Sequence, residues 1–134
     1  MPIERLNPEG MYKPNKNIYS QVASSTGTKT VHIAGTVPFD EDGNVVGIDD
    51  MKLQVQTVLN NIRISLAAAG ATPADVIRIN VYTLNVDDYV NNGAPEVIAF
   101  FGDNKPTSTT AVSYTHLRAH ETLRYLVCRL LLEK

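Results

Sequence analysis

The segment from residue 49 to residue 89 contains, in succession, the patterns of a helix, a glycine that ends it and a strand. Its first half places apolar residues at the spacing of one face of an α-helix: Met51, Val55, Val58, Leu59, Ile62 and Leu66. Asp49 or Asp50 can cap the start of this helix, and Gly70 stands where a left-handed residue commonly ends one. In residues 76–84, polar residues alternate with the apolar residues Ile77, Ile79 and Val81. We therefore expect a strand with one apolar face that packs beneath the helix.

The segments on either side predict shorter elements. Residues 1–18 carry turn residues with little periodicity, so we expect an irregular leader there. Residues 19–24 and 30–34 are β-prone runs that we expect to form a hairpin, with Val31 and Ile33 turned to the core. We expect a polar loop over residues 85–94, a second helix over 95–101 that Gly102 ends, and a strand over 106–112.

This order of elements predicts one α+β domain in which two helices cover one face of a mixed sheet. The side of the first helix that carries Gln54, Gln56, Asn60 and Asn61 is expected to face solvent or another subunit. The open face of the sheet also carries apolar residues, and a partner subunit is the simplest cover for it.

Composition excludes several classes of function. The 134 residues suffice for one domain, and the net charge of −2 provides no basic stripe for nucleic acid. No apolar run approaches the length of a membrane span and no signal peptide is expected, so we expect a cytoplasmic protein. Cys128 stands alone, and His116 and His120, although four residues apart, lack the acidic partner of a zinc-protease motif. The acidic turn at residues 40–44 lacks the ligand spacing of an EF-hand, so we expect no metal site.

An ordered set of short motifs resembles the Rid family, also called the YjgF family of reactive intermediate deaminases, over residues 7–110. The motifs with the most weight are Tyr19-Ser20-Gln21, Ala34-Gly35-Thr36-Val37-Pro38, Asn60-Asn61-Ile62, Ala68-Ala69-Gly70 and Pro106-Thr107-Ser108-Thr109. The resemblance implies a chorismate-mutase-like fold and a cytosolic homotrimer with ligand clefts between subunits. It also implies hydrolysis of enamines or imines to a keto compound and ammonia, without metal or cofactor.

The resemblance implies a substrate-binding set but no assigned catalytic residue. Tyr19 matches the cleft tyrosine of the family, and Thr110 falls where a cysteine or threonine meets the ligand. Ser108 stands where the family has an arginine that holds the substrate carboxylate, and Ala94 stands where an asparagine is expected, with Asn92 nearby. The glutamate of the last strand has no counterpart. Tyr19 can equally be a packed strand aromatic, and the two hydroxyl residues can be plain strand residues.

Two functions are therefore open. The first is an imine or enamine deaminase, weakened or altered because Ser108 lacks the charge and the two-pronged geometry of arginine. The second is a non-catalytic trimeric module that binds a small metabolite through the hydroxyls of Ser108 and Thr110. Ribonuclease activity has no support from a basic groove or from an acid and base histidine pair.

Residues 111–134 resemble the translation of a transposase-end adapter used in short-read sequencing libraries. We therefore expect residues 1–110 to be a truncated domain without its final native strand, followed by an adapter-derived tail. Residues 125–132 are apolar enough to fill the place of that strand without a selected function. The alternative is a divergent natural carboxyl terminus.

Overall fold

A computed structural model describes residues 3–14, 18–112 and 127–133 of the chain. The strands are β1 (Ile3–Leu6), β2 (Val22–Ser25), β3 (Thr30–Thr36), β4 (Val76–Thr83), β5 (Thr107–Val112) and β6 (Val127–Glu133). The α-helices are α1 (Met51–Ala68), a short α2 (Val86–Asp88) and α3 (Ala94–Phe101), and Tyr89–Gly93 forms a π-helical turn between the last two. His116 and His120, weighed above as a metal pair, lie outside the described residues.

Helix α1 begins and ends as its sequence predicts. The Asp50 carboxylate accepts a hydrogen bond of 3.0 Å from the Leu53 amide, which satisfies one of the free donors of the first turn. At the other end Gly70 has a φ of 69°, and the Ala71 amide donates to the Leu66 carbonyl at 2.8 Å. A glycine in the left-handed conformation, with a following amide bonded back to the last turn, is a common C-terminal cap of α-helices.

The core lies between α1 and β4. The predicted apolar stripe of α1 is confirmed, since Val55, Val58, Leu59, Ile62 and Leu66 are all buried. Their partners on β4 are Val76, Ile79 and Val81, and α3 adds Phe101. Ile77 is only half-buried, because the pairing register of β4 shifts between Val76 and Arg78 and gives the core position to Val76.

Two main helices, α1 and α3, together with the short α2 and small sheets, make up a mixed α+β fold, as predicted. The larger sheet has the order β3-β6-β4-β5, with β6 antiparallel to both its neighbours and β5 parallel to β4. Val31 and Ile33 of β3 pack against the core as expected, and His32 between them is exposed.

Four local predictions are wrong. The leader is not irregular throughout, because β1 forms within it and pairs antiparallel with β2, so β2 does not form the predicted hairpin with β3. Most of the predicted polar loop at residues 85–94 is helical, since the Asn85 side chain caps the new turn by accepting from the Asp88 amide at 3.0 Å. Gln54 is buried instead of facing solvent or another subunit, and Asn61 is half-buried, whereas Gln56 and Asn60 are exposed as expected.

The buried polar side of α1 ties the helix to the segment after β3. The Asn61 amide nitrogen donates to the carbonyls of Val37 and Phe39, at 3.3 and 2.9 Å. Gln54 is 1% exposed, and its amide oxygen has no hydrogen-bond partner among the described residues.

Candidate functional site

A cavity of about 730 Å³ lies between α3 and the edge of the sheet formed by β4 and β5. This volume falls within the range of small-molecule pockets. Most of its wall is apolar and comes from the two helical segments and the chain before β2, including Ile18, Val86, Val90, Val97, Ile98 and Phe101. The apolar residues of α3 therefore contact both the core and this cavity.

The parallel pairing of β5 with β4 brings two predicted site residues into the cavity. Ser108 pairs with Ile79 and Thr110 pairs with Val81, so both hydroxyl residues lie on the face of the sheet that α3 covers. The alternate residues lie on the other face, where the Arg78 guanidinium donates to the Thr109 hydroxyl. Because successive strand residues point to opposite faces, Ser108 and Thr110 lie on the cavity face, whereas Arg78 and Thr109 lie on the other face.

Tyr19 lines the same cavity because hydrogen bonds of the neighbouring Ser20 hold its segment in place. The neighbouring Ser20 is buried and donates from its hydroxyl to the Lys105 carbonyl at 2.7 Å, while its amide donates to the Pro106 carbonyl at 3.2 Å. These bonds hold the segment before β2 against the start of β5. Tyr19 therefore lines one cavity with Ser108 and Thr110, although it is far from both of them in sequence.

Tyr12 is the partner of Tyr19 that sequence reasoning missed. The two phenolic oxygens are 2.8 Å apart, and the Gln21 side chain holds this segment by donating to the Tyr12 carbonyl at 2.7 Å. The hydrogen bond with Tyr12 is the main cause that raises the pKa of Tyr19 above its ordinary value, and desolvation acts in the same direction. No sequence periodicity links Tyr12 to Tyr19, so only the fold could reveal the pair.

Asn92 does not line this cavity. It lies exposed on the π-helical turn and donates from its amide nitrogen to the Asp88 carboxylate at 2.7 Å. Ala94, at the position where the family resemblance expects an asparagine, is part of the wall. A change in this turn would be needed to bring the amide of Asn92 to the cavity.

Gly93 ends the π-helical turn Tyr89–Gly93, which contributes Tyr89 and Val90 to the cavity wall and is called the roof. A Cβ atom at this position would lie 2.7 Å from Cδ2 of Tyr89 and 2.9 Å from Cγ2 of Val55. Tyr89 is buried and also lines the cavity. Because Gly93 has no side chain, the Tyr89 ring can pack beside it and close to Val55 of α1.

The corner at the end of β3, which includes Gly35, Thr36 and Val37, lines a separate depression of about 380 Å³. The two depressions share no lining residue. Nearby, the Asp40 carboxylate accepts from the amides of Asp42 and Asn44 at 2.9 and 2.8 Å, which lowers its pKa. The acidic turn therefore uses this carboxylate to hold its own backbone.

Within residues 3–14, 18–112 and 127–133, no group of three or more His, Cys, Asp or Glu residues is arranged to hold a metal ion. No helix in the described part of the chain is long and apolar enough to cross a membrane.

Comparison with known proteins gives consistent matches. The model of the family described as Endoribonuclease L-PSP matches residues 12–121. A RutC family protein of Pyrococcus horikoshii is 39% identical over 75 residues, which are 55% of this chain and 58% of that protein. A RutC family protein of Pyrococcus abyssi is 32% identical over 57% of this chain and 59% of its own length. The matched region thus spans less than two thirds of these curated relatives.

Solved structures match over more of the chain. A protein of unknown function of the conserved Rid protein family, YyfB from Yersinia pestis, is 27% identical and superposes with a TM-score of 0.85 over 100% of both chains. RidA from the Antarctic bacterium Psychrobacter sp. PAMC 21119 is 24% identical, with a TM-score of 0.66 over 87% of this chain and 88% of its own.

Proposed function

This chain belongs to the Endoribonuclease L-PSP family, the YjgF or Rid family, and from that premise we propose that it hydrolyses reactive imines or enamines. The single observation that carries the proposal is the cavity beneath α3, which brings Tyr19, from the segment before β2, together with Ser108 and Thr110 of β5. These are the positions at which the family resemblance implies substrate contacts.

The proposed reaction makes modest demands on the protein. Water adds to the electrophilic carbon of the C=N bond, the C–N bond then breaks, and a carbonyl compound and ammonia leave. Hydroxyl groups that hold the water and the nitrogen in position can supply part of the acceleration through orientation alone. Tyr19 lines the cavity, and a tyrosine hydroxyl can either donate or accept a hydrogen bond. No metal or cofactor is part of the proposal.

Ser108 weakens or alters this activity toward substrates with a carboxylate. A serine hydroxyl offers one neutral donor, whereas an arginine offers a charged fork that matches both carboxylate oxygens. The ribonuclease activity in the family name is not extended to this chain, because its net charge of −2 provides no basic surface for RNA.

A non-catalytic binding module is the second candidate. It is favoured by the lining of the cavity, which within the described residues contains no carboxylate, histidine or lysine that could transfer a proton. In this function Ser108 and Thr110 hold a small metabolite by hydrogen bonds alone.

An imine hydrolysis assay separates the two candidates. Imines generated in solution decay spontaneously, so the measured quantity is ammonia release above that rate in the presence of the full chain. An enzyme accelerates the release in proportion to protein concentration, and Tyr19→Phe reduces the acceleration. A binding module protects or ignores the imine, and a rate that never exceeds the spontaneous one would reject the enzyme proposal.

We also propose a homotrimer with clefts between subunits, and we keep the cytoplasmic location as a prediction. Support for assembly comes from exposed apolar residues on the strands and the leader, namely Leu6, Met11, Val22 and Val112. Sedimentation at micromolar concentration should give a species three times the mass of one chain. A stable monomer would contradict the trimer.

A further inference from the structure

The described part of the wall of the cavity beneath α3 carries no charged side chain. Of the described residues that line it, none is acidic or basic, and those with polar side chains are Tyr19, Tyr89, Ser108 and Thr110. The charged side chains of neighbouring turns point to other partners. The Asp88 carboxylate accepts from Asn92, and Arg78 bonds to Thr109 on the opposite face of the sheet.

This lining discriminates against ions. Moving a carboxylate out of water into an apolar cavity is costly unless a positive group compensates for it, and four hydroxyls supply dipoles without a net charge. A neutral carbonyl or imine needs only one or two donors, which these hydroxyls can provide. An aliphatic or aromatic substituent would gain from contact with Val97, Ile98 and Phe101.

Resting on the proposed function, we infer that the substrates of this cavity are neutral, largely apolar imines and the carbonyl compounds they yield, and not imino acids. The polar end of such a molecule lies toward Tyr19, Ser108 and Thr110, and its apolar end lies beneath α3. Tyr12 is a positioning residue in this arrangement, since it touches the Tyr19 hydroxyl and does not line the cavity itself.

A matched pair of ligands tests the inference without requiring catalysis. Methyl isobutyl ketone and α-ketoisocaproate share one carbon skeleton, except that a carboxylate in the second replaces a methyl group in the first. Each is titrated into the full chain while methyl NMR resonances of Val90, Val97 and Ile98 are followed. We expect the neutral ketone to bind at least about tenfold more tightly than α-ketoisocaproate. The cost of burying a charge without a compensating partner is usually larger than this difference.

A charge placed at the cavity mouth should reverse this preference. Val90 is 56% exposed and lines the cavity, so Val90→Lys adds a cation there with little risk to folding. Ile64 is 62% exposed on α1 and does not line the cavity, which makes Ile64→Lys the matched control. Val90→Lys should favour α-ketoisocaproate, whereas Ile64→Lys should keep the preference of the original chain.

The outcomes separate this inference from the proposed function. Tight binding of the ketone without imine hydrolysis upholds the ligand class and rejects the enzyme. Imine hydrolysis together with tighter binding of α-ketoisocaproate by the original chain upholds the enzyme and overturns the ligand class. Resonances that move with neither ligand at millimolar concentration also overturn it.

Discussion

The phenolic oxygens of Tyr12 and Tyr19 lie 2.8 Å apart, so a residue outside the cavity holds the hydroxyl of a residue inside it. Tyr12 is 69% exposed, whereas Tyr19 is half-buried. The pair therefore makes the orientation of a cavity hydroxyl depend on the segment that precedes β2.

Replacing Tyr12 should change the ionisation of Tyr19. The hydrogen bond between them raises the pKa of Tyr19 in the folded chain, so the protonated form persists to higher pH. Any stability from this pair is present below the ordinary pKa of tyrosine and is lost as pH rises through the raised value. Tyr12→Phe should lower the pKa of Tyr19, as followed by ultraviolet absorption during a pH titration. Tyr19→Phe identifies the signal by removing it, and an unchanged titration in Tyr12→Phe would contradict the pair.

Ser108→Arg should increase activity toward imino acids. An arginine there would restore a charged partner for the substrate carboxylate, and loss of such a desolvated partner typically costs about 2 to 5 kcal/mol. We expect kcat/KM for imino acids to rise by at least about thirtyfold, and the rate for neutral imines to fall. Thr109→Arg is the matched control, because the next residue of β5 lies on the opposite face. Equal effects of both variants would reject the carboxylate site.

Gly93→Ala should destabilise the chain although alanine favours helices. The new Cβ would lie 2.7 Å from a ring atom of Tyr89 and 2.9 Å from a methyl of Val55. Overpacking of this kind costs about 1 to 3 kcal/mol, which outweighs the gain in helix propensity. Chemical denaturation measures the loss. In a Val55→Ala background the cost should shrink, and a variant more stable than the original would show that the roof has room.

Arg5→Met should loosen the attachment of β1. One guanidinium nitrogen, Nη2, donates to the carbonyl of Ala74 at 2.8 Å and to that of Val76 at 3.2 Å. Losing these charged donors should lower the free energy of unfolding by about 1 to 3 kcal/mol. Arg63→Met is the control, since Arg63 is exposed and lies over the ring of Phe100 at 4.9 Å, a contact that contributes about 1 kcal/mol or less. Similar losses in both variants would argue against a specific role for Arg5.

Local patterns predicted the parts of the fold that local forces determine. The stripe of α1, its cap at Asp50 and its stop at Gly70 all follow from side-chain spacing and backbone preference. The pairing of β1 with β2 brings distant residues together, and no local pattern in the turn-rich leader indicates it. In the same way, Tyr19 and Ser108 were found through family resemblance, while their shared cavity depends on the register of β5 against β4.

The carboxyl-terminal segment leads to a genomic prediction. We propose that residues 111–134 derive from a sequencing adapter, and that the source gene leaves this sequence near Ala111 and continues into a strand that carries a glutamate. The family match extends to residue 121, so a divergent natural end is the alternative. Resequencing of the source locus decides between them. An uninterrupted genomic frame through Val127 and Cys128 would refute the adapter origin.

Strand β6 separates β3 from β4, although it follows both of them along the chain. During synthesis, β3 and β4 therefore emerge before the strand that joins them, and each exposes unpaired backbone groups toward the empty position. Closure of the sheet requires β3 to pair with a strand about a hundred positions later in the chain, which slows folding and lengthens exposure to other nascent chains. A different sequence in this one strand would act first on the yield of folded protein, before it could act on any property of the cavity.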